Sequence, residues 1–72
     1  MEERQRYRII VSGQLSEAQR KEFADLRIEP NGADTKLIAE LDQLGLGRMI
    51  QRLATSSLTM LRATRLTDGE II

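Results

Sequence analysis

The order of local signals along the chain predicts an α+β fold. It is a ferredoxin-like split βαβ sandwich, a four-stranded antiparallel sheet with two helices on one face. Three observations carry the prediction. Four short segments, at 7–11, 26–29, 35–41 and 58–66, concentrate or alternate apolar and β-branched residues. Two further segments open on helix-capping residues, Ser16 and Asp42. Strand and helix signals fall in the order β-α-β-β-α-β, and right-handed crossovers then give the strand order 4-1-3-2.

The first strand is Tyr-Arg-Ile-Ile-Val at 7–11, stopped by Gly13. Tyr7, Ile9 and Val11 share one face; Arg8 and Ile10 share the other. Ser16 with Gln19 three residues later has the form of a capping box, and Glu17 suits the positive end of a helix. The helix that follows offers Ala18, Phe23 and Leu26 to a core. Leu26-Arg27-Ile28-Glu29 alternates as a half-buried strand. Pro30-Asn31-Gly32 then signals a hairpin turn, with Asn31 and Gly32 both expected at positive φ. In the third strand Leu37, Ala39 and Leu41 face inward, which turns Lys36, Ile38 and Glu40 outward. After Asp42, the residues Leu46, Met49, Ile50 and Leu53 fall at helical spacing and form one apolar stripe. Gly45 and Gly47 each weaken that helix by about 1 kcal/mol relative to Ala. The last strand, Leu-Thr-Met-Leu-Arg-Ala-Thr-Arg-Leu at 58–66, turns Leu61 and Ala63 inward and Met60, Arg62 and Thr64 outward. The expected core is Tyr7, Ile9, Val11, Phe23, Leu26, Ile28, Leu37, Ala39, Leu41, Leu46, Met49, Ile50, Leu53, Leu61 and Ala63.

The chain has 72 residues, which suits one domain over 1–72, with 1–5 and 67–72 expected to be flexible ends. It holds no cysteine and no histidine, so disulfides, thiolate or imidazole metal sites and nucleophiles paired with histidine are excluded. Eleven basic residues, nine of them Arg, balance eleven acidic ones. A neutral chain lacks the global field of a nucleic-acid binder. Arg4, Arg6 and Arg8 nevertheless form a basic run, read as a solvated strand edge or else as a contact for a phosphate or an acidic partner. No segment reaches the ~20 apolar residues of a membrane span, and the N-terminus lacks the apolar region of a signal peptide, so a cytoplasmic protein is expected.

The stretch Arg-Tyr-Arg-Ile-x-Val-x-Gly-x-Leu-Ser-Glu at 6–17 resembles the start of a family of short, uncharacterised actinobacterial proteins. Thr35-x-Leu37, Asp42-Gln43 and the amphipathic segment after them extend the resemblance to Leu66. It implies the same βαββαβ pattern and brings no catalytic residue, cofactor or partner. Gly45 and Gly47 depart from the family's pattern in the second helix.

The acidic residues sit at expected caps, turns and exposed faces, and no convergent pair suited to acid–base chemistry or a hard cation stands out. Gly45-Leu46-Gly47-Arg48 is a lone G-x-G at a helix start; packing or flexibility explains it better than an anion site. RNA-binding relatives of this fold stack bases on sheet aromatics, and here Tyr7 and Phe23 are both assigned to the core. The expected function is therefore that of a non-enzymatic association or regulatory module without a cofactor. It would form a homodimer or bind a protein partner, but neither nucleic acid nor a membrane. Its contact surface would be the open sheet face: Arg8, Ile10, Arg27, Lys36, Ile38, Glu40, Met60 and Arg62, with Ile10, Ile38 and Met60 as an apolar centre. The alternative is a small-molecule-sensing regulatory domain, by analogy with other domains of this topology.

Overall fold

The computed structural model describes residues 4–66. Its elements are β1 (Gln5–Val11), α1 (Glu17–Glu22), β2 (Arg27–Asn31), β3 (Asp34–Leu41), α2 (Gln43–Thr55) and β4 (Met60–Leu66). The four strands form one sheet in the order β2-β3-β1-β4, every neighbouring pair antiparallel. This is the ferredoxin-like α+β sandwich, with the expected strand order. β1 starts at Gln5, inside the segment expected to be a flexible end. The rest of that expectation, 1–3 and 67–72, lies outside the described residues.

The core lies between the sheet and the helices. Ile9, Val11, Leu37 and Ala39 from the two central strands meet Phe23, Met49 and Leu53, with Leu15 and Leu58 closing its ends. Tyr7, Leu26, Ile28 and Leu41 pack against this cluster half-buried. α1 is only six residues long and buries none of them. It stops because Phe23 is its C-cap, which lets the phenyl ring drop into the core. So short a helix is held by its ends. The Ser16 hydroxyl accepts from the Gln19 amide at 3.1 Å, and the Gln19 side chain accepts from the Ser16 amide at 2.8 Å. The same Gln19 side chain donates to the Ser56 carbonyl at 2.8 Å, tying the start of α1 to the end of α2.

Asp42 caps α2 by accepting from the Gly45 amide at 2.6 Å. A Cβ on Gly45 would stand 3.0 Å from the Asp42 carboxylate, so this glycine permits the close cap; Gly47 faces open space. At the other end Ser57 takes φ 61°, its amide bonds Ala54 and the Leu58 amide bonds Leu53 at 2.8 Å. That is a Schellman motif with Ser in the position that favours glycine, and it drops Leu58 into the core.

Several expectations are corrected. α2 directs Met49 and Leu53 at the sheet, while Ile50 is 43% exposed. The buried stripe is narrower than the sequence pattern suggests because a short, two-helix layer covers only the middle of the sheet. For the same reason Leu61, at 54% exposed, and Ala63 lie outside the core, although Ala63 stands opposite the buried Ile9. Leu46 and Leu26 are only half-buried, and Ala18 is exposed. The hairpin turn is Gly32-Ala33: Asn31 remains in β2, pairs with Asp34 and does not take positive φ, whereas Gly32 does, at 63°. Asp34 is the first residue of β3, and its carboxylate accepts from the Gly13 amide at 3.0 Å. The buried Thr35 hydroxyl donates to the Gly13 carbonyl at 2.7 Å, so both groups anchor the loop after β1.

Candidate functional site

The face of the sheet away from the helices follows from the registers. β1 contributes Arg6, Arg8 and Ile10. Across β3 they meet Glu40, Ile38 and Lys36, and across β4 they meet Leu66, Thr64 and Arg62. β2 sets Arg27 opposite Ile38 and Glu29 opposite Lys36. Seven of the eight residues expected on this face are therefore there. The exception is Met60. A register shift between Ile10 and Val11 brings Met60 opposite Val11 and leaves Arg62 opposite Ile10. Strict alternation cannot anticipate an extra residue of this kind, which is the effect of a β-bulge.

The apolar centre is also different from the expected one. Ile38 is only 8% exposed and Leu66 only 5%. Arg27 and Arg8 flank Ile38 on its two neighbouring strands, and long charged side chains shield apolar surface with their stems. Ile10 is half-buried. The face thus presents charge over a thin apolar floor rather than a bare apolar patch.

That charge is unevenly spread. Arg6, Arg8, Arg27, Lys36 and Arg62 stand against Glu29 and Glu40, five basic groups against two acidic ones, in a chain whose formal net charge is zero. On the β2/β3 half the charges are paired: Glu29 binds Arg27 on one oxygen and Lys36 on the other, the latter at 3.0 Å. The Lys36 hydrogen bond, followed by the charge of Arg27, holds the Glu29 carboxyl below the usual carboxylate range. On the β1/β4 half, no hydrogen bond or ion pair among the described residues engages Arg6, Arg8 or Arg62. The sequence pattern places both Arg8 and Arg62 on this face, and the register adds which residues they stand opposite: Thr64 and Ile38 for Arg8, Ile10 for Arg62.

A cleft of about 590 Å³ opens at the end of the sheet where β3 outruns β2: pairing stops at Arg27 and Ile38, while β3 continues to Leu41. Arg4, Arg6, Arg27 and Arg52 line it, over Leu26 and Met49. Arg52 is fixed by Asp25 at 3.2 Å, by the Glu22 carbonyl at 2.9 Å and by the Phe23 ring, 4.7 Å below its guanidinium. The Arg52 hydrogen bond holds Asp25 below the usual carboxylate range. Among the described residues no group of three or more metal-ligating side chains comes together, and no helix is long and apolar enough to cross a membrane.

A family model described as a domain of unknown function (DUF8691) matches residues 6–64. No curated protein and no solved structure matches the chain. The chain belongs to this domain family, whose matched span runs from β1 into β4.

Proposed function

We propose that this member of the family is a non-enzymatic association module of the cytoplasm whose working surface is the open sheet face. Its partner is a protein presenting carboxylates. The observation that carries the reading is the set of Arg6, Arg8 and Arg62 on one half of this face, with Arg62 opposite the half-buried Ile10, none of them engaged by a hydrogen bond or ion pair among the described residues. Arginines packed on one face repel one another, and an acidic partner relieves that repulsion while forming bidentate contacts. The same charge disfavours pairing two copies face to face, because each copy would bring three more arginines to the seam. Nucleic acid is the weaker fit, since the face carries no aromatic on which a base could stack: Tyr7 lies against the core and Phe23 within it.

The test is a binding titration of a fluorescent Glu-rich peptide against the parent chain, Arg8→Glu, Arg62→Glu and a helix-layer control, Arg48→Glu. Each sheet-face reversal should weaken binding by about tenfold or more, the scale of one charge-assisted contact, and rising salt should weaken it further. Equal effects at Arg48, or tighter binding of single-stranded RNA than of peptide, would refute the reading.

The cleft favours a second reading, a sensor of small anionic metabolites held between Arg27 and Arg52 over Leu26 and Met49. Its test is a dicarboxylate or phosphate titration followed at the Arg27 and Arg52 side chains; absence of saturable shifts would exclude it.

A further inference from the structure

The two edges of the sheet are not alike. The β2 edge is five residues long, contains Pro30 and is knotted by the ion pairs of Glu29. Proline removes a backbone donor and charge blunts an edge, so β2 is closed to further pairing. The β4 edge has seven residues, no proline, and five of the seven exposed. Its ladder with β1 is regular from Arg62 to Leu66, beyond the bulge.

The helix layer stops short of this edge. Arg52 marks the side of α2 that touches α1, through Asp25 and the Glu22 carbonyl. Ile50 lies about 160° around the helix from Arg52, on the flank away from α1. α1 leads directly into β2, at the far side of the sheet, so the Ile50 flank is the one toward β4. Ile50 and Leu61 are exposed there at 43% and 54%. The edge therefore combines a strand side with no neighbouring strand among the described residues with two exposed apolar side chains toward its helix side.

We propose that the outer edge of β4 receives an extended acidic segment of a partner protein as a fifth strand, giving the order β2-β3-β1-β4-partner. The inference rests on the association reading above and names how the partner is held. Charge decides between occupants. β4 carries Arg62 on the open face, opposite Ile10, and Arg65 on the helix face, opposite Tyr7, with no carboxylate on the strand. A second copy would add two more arginines to the seam. A strand with one carboxylate facing each arginine and an apolar residue against Leu61 satisfies both faces at once, while main-chain hydrogen bonds supply the remaining affinity. The arginines that keep copies apart thus select the partner.

The experiment uses a capped peptide, Val-Glu-Thr-Val-Glu-Val, which places a Glu opposite Arg62 and another opposite Arg65 in antiparallel register. It is compared with a Lys-for-Glu version and with two versions N-methylated on alternate residues. Amide hydrogen exchange of the full chain is followed with each. Strand addition predicts slowed exchange across Met60–Leu66, loss of binding by about tenfold or more in only one of the two N-methylated peptides, and no binding by the Lys version. Arg62→Glu/Arg65→Glu should bind the parent peptide about tenfold more weakly with an unchanged melting curve. Binding that both N-methylated peptides retain, with β4 exchange unchanged, would overturn strand addition and leave the association reading standing. No binding by any acidic peptide would overturn both. Protection of β4 in the free chain, with a dimer in sedimentation equilibrium, would assign the edge to a second copy and overturn the proposal.

Discussion

Truncating two neighbouring residues of α2 separates the structure from the bare sequence pattern. Leu53 is 1% exposed and part of the central cluster, while Ile50, on the same sequence stripe, is 43% exposed. A fully buried Leu cut to Ala costs about 2–5 kcal/mol, from lost transfer energy plus the cavity left behind. Ile50 has a little over half its surface covered and sits where no cavity can be enclosed. At about 1.5–3 kcal/mol for complete burial of such a side chain, Ile50→Ala should cost about 1 kcal/mol. The whole fold is worth about 4–11 kcal/mol at the usual stability per residue. Leu53→Ala should therefore remove about a fifth of the total or more, and Ile50→Ala a smaller part. In a domain of this size 1 kcal/mol moves the melting midpoint by about 4–8 °C. Thermal and urea unfolding followed by circular dichroism should show Ile50→Ala about 4–8 °C below the parent and Leu53→Ala at least twice as far below. Equal losses in the two variants would mean that α2 is rotated so that Ile50 also faces the sheet.

Three further outcomes follow from local geometry. Ser57 holds φ 61° at the end of α2, so Ser57→Gly should relieve that conformation and raise stability by about 0.5–1 kcal/mol in urea unfolding; a loss would show that the serine contributes more than it strains. Gly47 is helical with nothing within 4 Å of its missing Cβ, so Gly47→Ala should stabilise by about 0.5–1 kcal/mol, and a destabilised variant would place a neighbour there. Asp25 and Glu29 both have lowered pKa values in the fold, so their contribution is complete above their unfolded values near pH 4 and is lost as pH falls through the lower folded values. Glu29→Gln should flatten the acid limb of the stability–pH curve below about pH 4, while a curve unchanged in shape would show that its ion pairs do not couple to folding.

The fold was legible because its signals are local. Ser16 with Gln19, Asp42 as a cap and the alternation of β3 each state an element without reference to the rest of the chain. The surface was less legible because it depends on relations between elements. Whether Ile50 is covered depends on how far two short helices reach across the sheet. Met60 leaves the open face because one residue bulges from the β4 ladder beyond Arg62, which strict alternation cannot anticipate. Ile38 faces away from the helices as its alternation indicates, yet it is only 8% exposed between Arg8 and Arg27 on the two neighbouring strands, an arrangement that strand order and register decide. Charge behaves likewise. The total of zero conceals five basic groups against two acidic ones on one face, a sum that only strand order and register assemble.

The central claim is that this arginine-rich sheet face receives an acidic partner. Its most direct test is a map of amide chemical-shift changes in the isotopically labelled chain as a Glu-rich peptide is added at low salt. Binding at this face should give saturable changes gathered at Arg6, Arg8, Ile10, Arg62 and Thr64, fading as salt is raised. Changes confined to the helix layer, at 17–22 and 43–55, or no saturable change anywhere, would contradict it.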